Sequence, residues 1–233
     1  DYPFENTEDC VATFNDSLPR SWSWVRVPER ASYRLENGSL LLRAGRMPLS
    51  TMYSRNILVR PQESFRFTIT ASMRLDSEVL MFDDGEAGIT CYYDENTYLT
   101  FNVVNNSGHL LLNVCEHIDN ITTKAACIKL TDKSHSSIIF RVDTDYLKRS
   151  FSYSFSDDNV SPEGFTQLCS LDNVYYLCDE GLKKGKRFTG AMHGMYACLP
   201  SCKTQHADTE SSATLPPDDV PVYARFESYK CTM

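Results

Sequence analysis

Apolar and polar residues alternate along several short stretches of the chain. In the clearest stretch, residues 65–75, an apolar side chain stands at every second position and polar side chains fill the positions between. The same alternation appears at 99–103, 138–142 and 151–155. Because successive side chains of a β-strand point to opposite faces, the pattern predicts strands with one buried face and one wet face.

Turn-forming residues separate these stretches, with clusters of Asn, Asp and Gly at 36–38, 83–85 and 105–108. No window shows a helical stripe. Many short strands divided by frequent turns are typical of an antiparallel two-sheet β-sandwich or jelly roll. We find no internal repeat and no linker, so we expect residues 1–233 to form one all-β domain.

Composition narrows the possible partners. The 233 residues are 42% hydrophobic and 12% aromatic, which suits a packed core. Lys and Arg total 23 against 31 Asp and Glu, for a net charge of -8. This charge argues against binding to nucleic acid or to an anionic membrane surface, since both need a cationic face. No apolar run is long enough to cross a bilayer, so we expect no membrane span.

Nine cysteines are many for a cytosolic protein of this size. A zinc site typically has a close cysteine pair and, at a matching distance, a second pair or histidines; the tightest pair here, Cys198 and Cys202, has no partner pair nearby. Disulfides are therefore favoured, and the placement suggests four bridges with Cys91 left as a buried thiol, although other connectivities stay open. The suggested bridges are Cys10–Cys231, Cys115–Cys127, Cys169–Cys178 and Cys198–Cys202.

Five Asn-x-Ser/Thr sequons accompany the cysteines, and each marks a possible N-glycosylation site. Their asparagines are Asn15, Asn37, Asn105, Asn120 and Asn159. Together with the cysteines they predict a disulfide-bonded glycoprotein that is secreted or lies on the extracellular surface.

A series of short motifs runs through the chain in a fixed order. They are Arg26-Val27-Pro28, residues 38–42, Arg60-Pro61-Gln62, Tyr92-Tyr93-Asp94, residues 177–180, and Phe188-Thr189-Gly190-Ala191. In this order they resemble the C-terminal module of family 43 glycoside hydrolases, the β-xylosidases and α-arabinofuranosidases, over nearly the whole chain. The resemblance implies a concanavalin A-like β-sandwich. It implies no catalytic residue, because in such enzymes the catalytic carboxylates belong to a separate N-terminal propeller.

The same resemblance bears on cofactors. Family members often hold calcium between acidic residues that precede the equivalent of Phe14 and an acid near the C-terminal strand. Here Ala12 and Thr13 occupy the first position and Glu227 remains at the second. The resemblance therefore implies at most a partial Ca²⁺ site at Glu227, and no other cofactor.

Aromatic residues are the candidates for binding sugar. Sugar rings present apolar C–H faces that stack on aromatic rings, while neighbouring amides and acids bind the hydroxyls. The candidates for such a carbohydrate-binding platform are Trp24, Tyr92, Tyr93, Asp94 and Tyr98. The alternative is that these side chains pack into the core, as alternating strand aromatics usually do.

Three functional hypotheses follow. The first is a secreted, non-catalytic β-sandwich that binds carbohydrate or serves as an accessory module derived from a glycosidase. The second is a secreted surface or effector protein that binds a protein partner. The third is a piece of a glycoside hydrolase acting on xylan- or arabinan-type glycans. The chain has no serine nucleophile elbow and its acidic clusters, such as 83–86, fall in apparent turns, so we favour a non-enzyme.

Overall fold

The structure, a computed structural model, describes residues 14–15, 17–131, 135–155, 164–182, 190–200, 217 and 220–233, and the backbone of 10–12. Over these ranges the chain forms fifteen β-strands and short 3₁₀ helices at Glu78–Met81, Tyr175–Leu177 and Asp179–Gly181. The strands form two antiparallel sheets, so the all-β sandwich predicted from the sequence is confirmed. Among the described residues no helix is long and apolar enough to span a membrane.

The first sheet has eight strands. Seven of them follow one path, and the short strand β1 pairs with β15 beside β4. In spatial order the path is β13 (Thr166–Leu171), β12 (Lys148–Phe155), β11 (Ser137–Asp145), β6 (Arg66–Arg74), β15 (Tyr223–Thr232), β4 (Ser39–Arg43) and β3 (Tyr33–Glu36), with β1 at Cys10–Ala12.

The second sheet has seven strands and is likewise antiparallel throughout. In spatial order these are β10 (Ile121–Lys129), β9 (His109–Ile118), β8 (Thr97–Asn106), β7 (Glu86–Asp94), β14 (Met192–Cys198), β5 (Leu58–Pro61) and β2 (Ser23–Trp24).

Aromatic rings join the two sheets in the core. Phe101 of β8 contacts Phe140 of β11 and Phe151 of β12 edge to face, with ring centroids 5.0 and 5.6 Å apart. Such pairs add about 0.5–1.5 kcal/mol each beyond the burial of their area. Trp22 packs against Tyr229 of β15 in the same core, at 4.8 Å.

The tight turns lie where Asn and Gly predicted them. Asn37 and Gly38 both have positive φ and connect β3 to β4, and Ser107 and Gly108 do the same between β8 and β9. Two successive residues with positive φ give a hairpin turn a backbone twist that matches the right-handed twist of its strands.

The prediction of one wet face per strand is wrong for β8. All residues from 97 to 103 are buried, because the connection between β4 and β5 lies over the outer face of the second sheet. Leu49 and Ile57 from that connection pack on the tyrosines of β7, β8 and β14, and the Cys198 thiol donates a hydrogen bond to the Met47 carbonyl at 3.4 Å.

Strand β6 departs from the pattern at its start. Its inward positions from Phe67 to Met73 are buried, but Phe65, the first apolar residue of the alternating stretch, is 69% exposed. The strand begins at Arg66, so the ring of Phe65 lies outside the sandwich. This exposed ring contributes to the candidate site.

Candidate functional site

The five residues predicted to bind sugar do not share an open face. Tyr92 and Tyr98 are opposite one another on β7 and β8 and their rings stack, but both are buried beneath the β4–β5 connection. The Tyr98 ring also stacks on His117 of β9, at a centroid distance of 4.6 Å. These rings have no face open to a glycan.

The other three predicted residues lie in different surroundings. The Tyr93 side chain is in the main core, and its hydroxyl donates to Asp179. Asp94 is buried and accepts a hydrogen bond from the Asn96 backbone N–H at 2.8 Å, which stabilises the β7–β8 turn. Trp24 is partly buried on the short strand β2, beside Tyr33. A common platform is not formed, and sugar binding by Trp24 stays a prediction.

Two aromatic rings at one end of the sandwich do lie open. Phe65 precedes β6, and Tyr146 lies in the turn between β11 and β12; their side chains are 69% and 54% exposed. The ring centroids are 6.0 Å apart and the planes differ by 11°. The Tyr146 backbone N–H donates to the Phe65 carbonyl at 2.7 Å, which holds the two residues together.

Charged side chains border these rings. The Arg66 guanidinium lies 4.7 Å from the centre of the Tyr146 ring, and its Nε donates to Asp145 Oδ1 at 2.8 Å. We call Phe65, Arg66, Asp145 and Tyr146 the Phe65–Tyr146 surface. It offers apolar ring faces, a cation and a carboxylate within one patch.

A shallow groove of about 430 Å³ continues from this surface across the first sheet. Arg66 and Asp145 line it together with Thr68, Asp143 and Thr232. Thr68 donates its hydroxyl to Asp143 Oδ1 at 2.7 Å. Hydroxyl and carboxylate groups beside open rings can hydrogen-bond the hydroxyls of a sugar whose C–H face stacks on the rings.

A larger cavity, of about 680 Å³, opens at the opposite end of the sandwich. Among the described residues, those that line it include several leucines and no Trp, Tyr or Phe. Two charged residues, Asp76 and Lys129, also line it. An apolar floor without such a ring suits a sugar less well than the Phe65–Tyr146 surface does.

The sequence carried little local signal for the Phe65–Tyr146 surface. Phe65 continues an apolar alternation and so predicts a buried position, and Tyr146 is a single aromatic among polar residues. The two are about eighty positions apart in the chain and meet only because Arg66 pairs with Asp145 when β6 and β11 align. That register was not predictable from either segment alone.

Most carboxylates of the described residues have hydrogen-bond or ion-pair partners. Arg26 binds Glu95 at 3.0 Å, and the Tyr176 hydroxyl donates to Glu116 at 2.6 Å. Glu86 of β7 accepts a hydrogen bond from the Asn102 amide at 2.5 Å. Burial raises the pKa of Glu86 to about 7, although hydrogen bonds from Tyr196 and Asn102 oppose the shift.

Glu227, at which the family resemblance implies a partial calcium site, lies on β15. Its Oε2 accepts a hydrogen bond from the Ser72 hydroxyl at 2.7 Å, and its Oε1 is 4.0 Å from Arg74. Among the described residues no three His, Cys, Asp or Glu side chains are grouped to hold a metal ion. Thr13, part of the same prediction, lies outside the described residues, and calcium binding stays a prediction.

The cysteines with described side chains are not bonded to one another, so the structure contains neither Cys115–Cys127 nor Cys169–Cys178. Cys115 and Cys127 lie on neighbouring strands but not opposite each other, because the register pairs Cys115 with Lys124 and Cys127 with Asn113. Cys91 is a buried thiol, as predicted.

The remaining two bridges involve residues outside the described side chains. The structure places the backbone of Cys10 opposite Cys231, whereas Cys202, the predicted partner of Cys198, is not described.

The sequons differ in their surroundings. The side chains of Asn15, Asn37 and Asn120 are exposed, and the last two stand in turns with positive φ. Asn105 is buried: its Nδ2 donates to the Leu80 carbonyl at 3.0 Å. Asn159 lies outside the described residues.

Comparison with known proteins places this sandwich in a family. Residues 12–211 match the model of the β-xylosidase C-terminal concanavalin A-like domain. The chain belongs to this family. The resemblance read from its motifs is thereby confirmed, and the chain is called the module below.

Solved structures agree on the fold. The module is similar to a variant of the family 43 protein BlXynB from Bacillus licheniformis, with TM-score 0.77 and 21% identity, over 95% of the module and 39% of that chain. It is also similar to a xylan β-1,4-xylosidase from Bacillus halodurans, with TM-score 0.77 and 19% identity, over 100% of the module and 40% of that chain. The module thus spans about two fifths of these proteins.

A third structure is similar over most of both chains. It is a functionally unknown protein from Saccharomyces cerevisiae, with TM-score 0.51 and 13% identity, and the match covers 91% of the module and 93% of that chain. The search of curated proteins returned no match.

Proposed function

We propose that the module is a secreted, non-catalytic accessory domain that binds carbohydrate through the Phe65–Tyr146 surface. The observation that carries the proposal is the pair of exposed, nearly parallel rings of Phe65 and Tyr146. They stand beside Arg66, Asp145 and a groove lined with hydroxyl and carboxylate groups. Rigid aromatic faces with adjacent polar groups are the chemistry that sugar rings require.

The bonding of the carboxylates supports a non-catalytic role. A glycosidase uses one carboxyl group as acid and a second as nucleophile or base, on either side of the scissile bond. In the described part of the module, Glu95 and Asp143 are held by arginines and Glu116 by a tyrosine hydroxyl. Glu86, half-buried at the start of β7, has a raised pKa, but its carboxyl group is held by the Asn102 amide.

Secretion is supported by the nine cysteines together with the sequons. Asn37 and Asn120 are exposed at hairpin turns, where an attached glycan would project into solvent. The proposal therefore places the module in an oxidising, extracellular setting.

The relatives favour a role beside a sugar-cleaving domain. The module spans 39% of BlXynB and 40% of the B. halodurans xylosidase. We propose xylan- or arabinan-type glycans as the ligand class on that ground. A protein partner docking on Phe65 and Tyr146 is the competing proposal, since the same rings offer apolar area.

A glycan array probed with the fluorescently labelled module tests the proposal. Binding to xylan or arabinan oligosaccharides that is lost in Phe65→Ala, but kept in Tyr53→Ala, would support it. Tyr53 is 65% exposed and lies outside the Phe65–Tyr146 surface, so it is a matched control. Binding to no glycan would contradict the proposal and leave the protein-partner alternative. Turnover of nitrophenyl xyloside by the module alone would contradict its non-catalytic part.

A further inference from the structure

Two arginines are buried between the sheets. Arg60 of β5 and Arg149 of β12 are 4% and 3% exposed. His193 of β14 is opposite Arg60 in the second sheet and stacks on the ring of Phe67 from the first, at 5.3 Å. The Arg149 guanidinium lies 5.7 Å from the centre of the same ring. The two cations therefore flank one His193–Phe67 pair.

The charges of the two arginines are not equally balanced. Arg60 Nη2 is 2.6 Å from Glu63 Oε2, so that cation has a carboxylate partner. Arg149 donates from Nη1 to the carbonyls of Tyr146 and Lys148, at 2.8 and 3.1 Å, and from Nη2 to the Gln62 amide oxygen at 3.1 Å. All of these acceptors are neutral.

Several donors in this cluster have no hydrogen-bond partner in the described part of the chain. They are Nε and Nη1 of Arg60, Nε of Arg149, and the hydroxyl of Thr144, which is opposite Arg149 in the first sheet. Buried polar groups are nearly always bonded in folded proteins, and buried charges are nearly always paired. These N–H groups therefore call for an acceptor that the described side chains do not provide.

Neighbouring titratable groups do not supply the missing negative charge. Burial, together with both arginines, lowers the pKa of His193 to about 3, so it is neutral, and its Nδ1 shares a hydrogen bond with the Tyr229 hydroxyl. Cys91 is opposite His193, and burial raises the pKa of its thiol although the charge of Arg149 and a side-chain hydrogen bond with it oppose the shift, so this partner of Arg149 is neutral too. At neutral pH the cluster keeps one uncompensated positive charge.

We infer that Arg60 and Arg149 form an internal binding site for a small anion carrying a carboxylate or an inorganic oxyanion group. A guanidinium presents planar N–H donors that match the oxygens of carboxylate, phosphate and sulfate. One such anion would neutralise Arg149 and accept from the unpartnered N–H groups of both arginines. The Thr144 hydroxyl is placed beside Arg149 to add a further donor.

Thermal unfolding of the wild-type module in different salts at constant ionic strength tests this site. We expect Tm to rise by about 3 °C when phosphate, sulfate, acetate or glucuronate reaches roughly ten times its Kd, relative to chloride. Because phosphate and sulfate also stabilise folded proteins by exclusion from their surface, only a rise that Arg149→Met abolishes counts. Such a rise with phosphate and sulfate alone identifies an inorganic oxyanion, and one with acetate and glucuronate alone identifies a carboxylate. Equal Tm in all five salts would overturn the inference.

Two variants test whether the anion-dependent rise in Tm arises at Arg149. Arg149→Met should abolish the anion-dependent rise while folding in chloride as well as the wild type, because it removes an unbalanced buried charge. Arg34→Gln, at an exposed arginine elsewhere, should keep the full rise. If Arg149→Met does not fold, calorimetric titration of the wild type with phosphate and acetate decides. Binding heat that fits one site supports the inference, and the absence of binding heat refutes it. An anion effect that persists in folded Arg149→Met would overturn it too.

Discussion

Cys10 lies directly opposite Cys231 where the first strand pairs with the last. Opposite residues of an antiparallel pair have Cα atoms about 4.5–5.5 Å apart, within the range that a disulfide spans. We predict a Cys10–Cys231 bridge in the module. Its loss in Cys10→Ser should lower the free energy of unfolding by about 5 kcal/mol on the chain-entropy model, because the bridge closes nearly the whole chain.

Peptide mapping under non-reducing conditions checks this bridge directly. Cys91→Ser serves as the control, because Cys91 is a buried thiol and its replacement should leave the map unchanged. Recovery of Cys10 and Cys231 as separate alkylated peptides would contradict the prediction.

Because the amide of Asn105 is buried, we predict that this sequon is not glycosylated. Its Nδ2, the atom that would carry the glycan, donates to Leu80, and its Oδ1 accepts from the Gly108 N–H at 2.9 Å. We expect mass spectrometry of the module from a glycosylating host to find glycans on Asn37 and Asn120 but none on Asn105. Asn105→Ala should cost about 1–3 kcal/mol, since it leaves the carbonyl of buried Leu80 without this hydrogen bond. A glycan on Asn105 in folded protein would show that this bonding is wrong.

The raised pKa of Glu86 predicts a loss of stability toward alkaline pH. In the unfolded chain the carboxyl titrates at its ordinary value, about 4.3. In the folded module burial raises the pKa to about 7, so the folded state binds the proton more tightly. Stability is therefore greatest below the unfolded pKa and falls as pH rises through about 7.

Glu86→Gln removes this titration. At pH 8 the variant should be more stable than the wild type by about 1–3 kcal/mol, and near pH 4 the two should agree. Denaturant unfolding at the two pH values measures the difference. Glu36→Gln, at an exposed carboxylate, should show no such gap. A Glu86→Gln variant that is equally stable or less stable at pH 8 would contradict the assignment.

Local sequence patterns were sufficient to predict the β-sandwich fold. Alternation at 138–142 and the Asn37-Gly38 turn depend on neighbouring residues, and both appear as predicted. Burial of Tyr92 and Tyr98 depends instead on a connection some forty positions away that covers their face, so the local sequence could not decide between an open platform and a core position. The Phe65–Tyr146 surface forms by long-range strand pairing, and neither segment alone signals it.

The proposed function requires that Phe65 and Tyr146 bind glycan. Calorimetric titration with the best array ligand, or with xylohexaose and arabinohexaose, measures Kd for the wild type, Phe65→Ala, Tyr146→Ala and the Tyr53→Ala control. We expect each of the first two substitutions to weaken binding roughly tenfold or more, since a stacked ring contributes about 1.4 kcal/mol or more. Tm should change little, because both rings are exposed. Unchanged affinity in Phe65→Ala and Tyr146→Ala, or equal loss in Tyr53→Ala, would show that the Phe65–Tyr146 surface is not the glycan-binding site.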